Sequence, residues 1–160
     1  MYRTFPARSL AVLCAVAGCL GVLGALGASV RATAVQTLND DPEQVRVLMG
    51  HASAGGWLLA GLAFLVGLGA IVWIRGPKIA KLVVAAVTVG FVVLTAIRLA
   101  ALDTRASEWA LAAVRDPEFA GYHAGFGWGA WILLTGAVFA SFALLMAALR
   151  ALDLRKGLPA

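Results

Sequence analysis

Charged residues are scarce in this sequence. Asp, Glu, Lys and Arg together make up 13% of its 160 residues, whereas 62% of the residues are hydrophobic. The mean hydropathy is +0.91. A soluble globular domain carries about twice this share of charge, because its surface must be hydrated. The shortage of charge therefore excludes a soluble domain and indicates a chain that lies in a lipid bilayer.

Cysteine is also scarce, and the two cysteines form no recognisable redox motif. Cys14 and Cys19 are too far apart for a Cys-x-x-Cys pair and would lie on different faces of one helix. This spacing argues against a quinone-linked thiol oxidase of the four-helix type. The sequence also lacks a Walker loop, a His-Glu-x-x-His motif and a Gly-x-Ser-x-Gly motif. Whether the protein is an enzyme stays open at this point.

Four long apolar runs account for most of the chain. They cover residues 9–29, 52–74, 79–102 and 122–149. Each is near or above the roughly 20 residues that a helix needs to cross a bilayer. The first run follows basic residues, as a signal peptide does, but it exceeds the usual apolar core of about 7–15 residues and we interpret it as a retained helix. The sequence predicts an all-α membrane protein, with one four-helix transmembrane domain over residues 1–160.

The flanking charges predict an orientation in the membrane. Basic residues cluster before the first run, between the second and third, and after the fourth; they are Arg3, Arg8, Arg75, Lys78, Lys81, Arg150, Arg155 and Lys156. All acidic residues except Asp153 fall in the two longer loops, near 30–51 and 103–121. The positive-inside rule then predicts a multi-pass protein of a bacterial plasma membrane, with both termini cytoplasmic. The net charge of +5 reflects these flanks and does not indicate a nucleic-acid partner.

The two halves of the chain, approximately 8–78 and 79–150, share short motifs in the same order. Arg-Ala, Asp-Pro-Glu and His-Ala occur in both halves, at nearly constant offsets; they begin at Arg31, Asp41 and His51 and again at Arg105, Asp116 and His123. This order predicts a duplicated helical hairpin. Because both hairpins would enter from the cytoplasm, their axis of symmetry would lie along the membrane normal.

The only two histidines, His51 and His123, occupy matching positions in this repeat. The duplication predicts that they lie at equal depth near the outer surface, at the tops of the second and fourth helices, which can be diagonal in a bundle. Gly55 and Gly127 each follow four residues later, on the same helix face, and would leave room for a flat ligand. We therefore expect the two imidazoles to approach each other across the outer end of the bundle.

Arg98 interrupts the third run near its outer end. Charged residues at membrane depth usually face the bundle interior or a polar cavity, and they mark functional sites. The position of Arg98 would also allow its side chain to extend upward to the headgroups. Both interpretations stay open.

Small and aromatic residues predict how the helices pack and where the membrane interfaces lie. Glycine recurs at every third position of the first run, at Gly18, Gly21, Gly24 and Gly27, which predicts a ridge packed closely against a neighbour. Tryptophans mark both ends of the spans: Trp57, Trp128 and Trp131 at the outer interface and Trp73 at the inner one. We interpret these tryptophans as interfacial anchors.

A four-helix unit with one histidine on the second helix and one on the fourth, both toward the outer face, resembles one half of heme A synthase. The resemblance spans about the whole chain and rests on the architecture and on His51 and His123. It implies that these histidines are axial ligands of heme b, as in bis-histidine membrane cytochromes. Residues 46–50 stand where that family has its catalytic glutamate, and the family's outer-loop cysteine pair is absent. Heme oxidation is therefore not implied.

Two functions of different classes follow. In the first, the chain is a small b-type cytochrome or metal-binding subunit for electron transfer, with Arg98 pairing a heme propionate. A tetrahedral metal bound by His51 and His123 would need further ligands, for which Asp116 and Glu118 are the nearby candidates. In the second, the chain is a structural or assembly subunit that packs against other integral membrane proteins and holds no cofactor.

Overall fold

The computed structural model describes the backbone of residues 7–28, 30–36, 44–50, 54–114 and 121–156, and the side chains of residues 7–28, 56–102 and 125–152. Its four helices are α1 (Ala7–Leu26), α2 (Ala54–Arg75), α3 (Lys78–Val114) and α4 (Trp128–Lys156). Each contains a stretch of 20 or 25 residues that is long and apolar enough to cross a membrane. The prediction of a four-helix membrane bundle is confirmed.

Helix α1 is the most enclosed of the four. It packs against α2 on one side and α4 on the other, while α3 contacts α2 and α4. Helices α2 and α4 are therefore diagonal, as the sequence suggested. In α1, 44% of the span is buried, against 22% in α3. The bundle is thus tightly packed around α1 and more open around α3.

The glycine ridge of α1 lies against two neighbouring helices, and its predicted burial is confirmed. A Cβ placed on Gly18 would lie 2.5 Å from the Cα of Gly67 in α2. A Cβ on Gly24 would lie 2.6 Å from the Cα of Leu133 in α4. Such contacts between backbones are possible only because the glycines carry no side chain, and close approach of this kind holds transmembrane helices together.

Glycine and proline end the helices where the chain must turn. Helix α2 stops at Arg75 because Gly76 and Pro77 follow; the Gly76 amide still donates to the Val72 carbonyl at 2.7 Å. A Cβ on Gly76 would lie 2.6 Å from that same carbonyl oxygen, so no other residue fits without a shift. The resulting turn joins α2 and α3 directly and places their basic flanking residues at one end of the bundle.

A three-stranded antiparallel sheet lies at the end of the bundle opposite the turn between α2 and α3; this is the sheet end. Strands β1 (Val30–Gln36), β2 (Gln44–Gly50) and β3 (Gly121–Phe126) are ordered β2-β1-β3. The sequence predicted a loop near 30–51, but the structure places β1 and β2 there. A period-two pattern of apolar Val30, Ala32 and Ala34 alternating with polar Arg31 and Thr33 is consistent with this strand.

The second predicted loop, near 103–121, also contains regular structure. Helix α3 extends for 37 residues and ends at Val114, twelve residues beyond its apolar span. Residues 103–114 are rich in alanine, so high helix propensity continues the helix past the hydrophobic segment. Helix α4 begins at Trp128 and not at residue 122, because the glycine-containing strand β3 precedes it.

The described parts of the two proposed repeat halves differ in structure. Arg31 lies in strand β1, whereas its counterpart Arg105 lies in helix α3. Helices α1 and α2 approach each other backbone to backbone at Gly18 and Gly67, whereas no glycine of α3 among the described residues makes such a contact with α4. The duplication therefore stays a prediction from the motif order.

Candidate functional site

The structure places the segments that carry the two histidines beside one strand. His51 lies outside the described residues, but Gly50 immediately before it ends β2 and pairs with Val30 of β1. The backbone of His123 lies in β3 and pairs with Thr33 of β1. Strand β1 thus holds together two segments that are far apart in sequence. The described backbone therefore places Gly50, the residue before His51, and His123 on strands that flank β1 on opposite sides.

The register is less symmetric than a duplicated hairpin would predict. His123 pairs with β1 three residues further from the bundle than Gly50 does, which is about 10 Å along a strand. The expectation that His123 stands at the top of the fourth helix is wrong, because α4 begins only at Trp128. Gly127 precedes that helix, and its carbonyl accepts the Ala130 amide at 3.1 Å. His123 and Gly127 therefore do not share a helix face.

No protein-family model, curated protein or solved structure matches this chain. The likeness to heme A synthase therefore remains an expectation from the sequence. Among the described residues, no group of three or more His, Cys, Asp and Glu side chains could hold a metal. His51, Asp116 and Glu118 lie outside those residues, so the metal and heme ligand assignments stay predictions.

Arg98 lies on the inward-facing stripe of α3. The buried residues Val84, Thr88, Phe91 and Thr95 follow one another at intervals of three or four, and Arg98 continues that stripe one turn toward the sheet end. Its side chain is half-buried. The position supports the interpretation in which Arg98 faces the bundle and not the lipid.

Thr95, which the sequence did not single out, is the unusual polar residue of the bundle. It is 1% exposed, and among the described residues its Oγ1 is the buried side-chain polar atom that has no hydrogen-bond partner. Three other hydroxyls on these helices donate to the carbonyl four residues earlier; they belong to Thr88, Thr135 and Ser141. Thr95 also lines a groove of about 340 Å³ between α3 and α4. No sequence pattern distinguishes Thr95 from Thr88.

Aromatic residues join the sheet to the bundle. Phe126 at the end of β3 packs edge-on against Trp131 in the first turn of α4, with ring centroids 6.1 Å apart. Trp57 and Trp131 are 68% and 58% exposed, which fits their interpretation as interfacial anchors. The Phe126–Trp131 contact links the end of β3 to the start of α4.

The orientation of the sheet can be tested directly by labelling. In a variant whose Cys14 and Cys19 are replaced by alanine, Asp40→Cys is expected to react with a membrane-impermeant maleimide on intact cells, because the basic flanks of the spans predict that the opposite end of the bundle faces outward. Lys78→Cys, at the turn between α2 and α3, is the control and should react only after lysis. Labelling in the reverse pattern would contradict the predicted orientation.

Proposed function

We propose that this protein is a small, non-catalytic integral membrane subunit that assembles with a larger membrane protein through the edge of its sheet. The observation that supports the proposal is the strand order β2-β1-β3, which leaves β2 at an edge. Among the described elements, β2 contacts β1 extensively and no other element to a comparable extent, whereas β3 is also contacted by α3.

The chemistry of an edge strand explains why this surface suits a partner. One side of β2 bonds to β1, and the N–H and C=O groups of the other side point away from the sheet. An edge of this kind is a template for an added strand, and proteins use such strand addition for recognition. The partner contributes an extended segment that lies at the sheet end of the bundle, at the same membrane surface.

Paired proline substitutions test the role of the β2 edge. Neighbouring amides of a strand point to opposite sides, so one of Arg46→Pro and Val47→Pro removes a bond to β1 and the other removes a bond offered to the partner. We expect the variant that loses the amide facing the partner to leave the melting temperature of the purified protein nearly unchanged. It should nevertheless abolish the high-mass complex seen on native gels of mildly solubilised membranes.

Two results would contradict the assembly role. The first is that the wild-type chain, extracted gently from its own membrane, migrates alone. The second is that both proline variants keep the same high-mass complex as the wild type. A conservative change at the same position, Val47→Ile, is the matched control, because it keeps the backbone amide and the strand propensity.

A second candidate function is heme b binding for electron transfer, and one observation favours it. Strand β1 lies between the segment that ends just before His51 and the strand that contains His123. Arg98 on the inward face of α3 would supply a cation for a propionate. Heme held by both histidines would need their coordinating nitrogens about 4 Å apart, and when bound it would supply a one-electron redox centre.

An absorbance spectrum distinguishes the two functions. If heme b is bound, the detergent-purified protein should show Soret and α bands that sharpen on dithionite reduction. His51→Ala and His123→Ala should each abolish those bands, because each removes an axial ligand. Cys19→Ala is the control, since Cys19 lies on the exposed face of α1. A colourless protein purified from heme-replete cells would rule out the cytochrome and leave the assembly role.

A further inference from the structure

A groove between α3 and α4 has the composition of a site for a small amphiphilic molecule. Its volume is about 340 Å³, and its lining is apolar except for the hydroxyl-bearing side chains of Thr95 and Ser141. It extends from Leu99 toward Leu145, within the membrane-spanning parts of both helices. Small-molecule sites in proteins are typically concave and apolar, with a few polar groups that fix the orientation of the ligand.

The Thr95 hydroxyl indicates that this groove receives a hydrogen-bonding group. In hydrocarbon no water can satisfy a buried hydroxyl, so such a group normally bonds to the carbonyl one turn earlier. Thr88, on the same face of the same helix, does so at 2.7 Å to Val84. Thr95 does not, although it is as deeply buried. Because threonine in a helix adopts two side-chain rotamers, a change of rotamer would turn the Thr95 hydroxyl toward an occupant of the groove.

The depth of Thr95 limits what that occupant can be. Thr95 lies seven residues inside the end of the span at Leu102, which is about 10 Å along the helix. A hydrocarbon chain has no acceptor to offer there, and the ester groups of phospholipids lie in the interfacial region outside the hydrocarbon. A partner helix is about 10–12 Å wide and is too large to enter a groove of this volume.

A neutral ring that carries carbonyl groups and an apolar chain meets these conditions. We propose that the groove between α3 and α4 binds an isoprenoid quinone, with the Thr95 hydroxyl donating a hydrogen bond to a ring carbonyl. The chain lies along the apolar remainder of the groove toward Leu145. The open side of the groove faces lipid, because Val138 and Phe142 on the rim of the groove are 47% and 52% exposed. This site is additional to the proposed assembly role and does not depend on it.

Photoaffinity labelling of the detergent-purified full chain tests the site. An azidoquinone should label peptides of α3 and α4, and decylubiquinone should compete with it. Thr95→Val removes the hydroxyl at nearly constant volume, and we expect it to weaken this competition by roughly 3- to 10-fold, the effect of one neutral hydrogen bond. Thr88→Val is the matched control and should leave the competition unchanged, since the Thr88 hydroxyl already bonds within its own helix.

A second variant keeps the test decisive if Thr95→Val does not fold. Val138→Trp adds a large ring at the exposed rim of the groove, so it should block labelling without disturbing the buried core. The proposal is overturned if both variants label and compete like the wild type. It is also overturned if phosphatidylglycerol competes as well as decylubiquinone. Photolabelling of Phe64, which lines the wholly apolar groove between α1 and α2, would also overturn the proposal.

Discussion

Gly24→Ala is expected to lower the free energy of unfolding by about 1–3 kcal/mol, although it adds only one methyl group. The new Cβ would collide with the backbone nitrogen of Leu133, and it would lie 2.6 Å from the Leu133 Cα and 2.8 Å from the Gly129 carbonyl oxygen. These are backbone atoms of α4, so no side chain can rotate away. The whole helix must move, and contacts along α1 and α4 are lost together.

Two glycines elsewhere in the bundle provide matched controls. A Cβ on Gly61 of α2 or on Gly90 of α3 would meet no atom within 4 Å. Gly61→Ala and Gly90→Ala are therefore expected to keep or slightly raise stability, because alanine has the higher helix propensity. Thermal unfolding in detergent, followed by circular dichroism, measures all three variants. Equal melting temperatures for Gly24→Ala and Gly61→Ala would show that α1 and α4 do not meet as described.

Phe91→Ala is expected to be the most destabilising single truncation, costing about 3–5 kcal/mol. Phe91 is fully buried and is one of the largest side chains of the core. Its ring lies against Gly21, where an added Cβ would approach the Phe91 Cζ to 2.8 Å. Truncation would leave a cavity at the centre of the bundle, where the Phe91 ring reaches the α1 ridge at Gly21. Because α3 is the least buried helix, few other contacts could compensate.

An exposed phenylalanine shows whether the effect of Phe91→Ala depends on burial. Phe64 in α2 is 59% exposed, and Phe64→Ala should change the unfolding free energy by less than about 0.5 kcal/mol in detergent. Chemical denaturation of both variants gives the comparison. If the two substitutions cost the same, Phe91 cannot be part of a packed interior.

The helices and their packing ridge were predictable because their signals are local. An apolar run of about 20 residues predicts a span wherever it occurs, and the three-residue spacing of Gly18, Gly21 and Gly24 predicts a close contact without a partner being known. The identity of the partners was not predictable. That Gly18 meets α2 and Gly24 meets α4 depends on how three helices cross in space.

The sheet and the Thr95 site depend on interactions that the sequence does not reveal. Strand β3 pairs with β1 although more than half of the chain separates the two strands in sequence. Nothing in the six residues of β3 specifies that register. Thr95 and Thr88 have the same residue type and lie on the same helix face, but only the Thr88 hydroxyl bonds to its own backbone and only Thr95 lines the groove. Arg98 is an intermediate case. Its charge identified it in the sequence as a candidate site residue, but the stripe of buried residues on α3 was needed to show that it faces the bundle.

The central position of β1 has a consequence for biosynthesis. Strands β1 and β2 are close in sequence and can pair as soon as α2 has emerged from the ribosome, but β3 directly precedes the last helix. Until β3 has been synthesised, the second edge of β1 has no strand to bond with, and it can pair with other chains. The hairpin of α1 and α2 therefore lies in the membrane at first with only β1 and β2 paired. Synthesis of the final quarter of the polypeptide completes that sheet, so a ribosome that stalls before β3 leaves an aggregation-prone nascent chain.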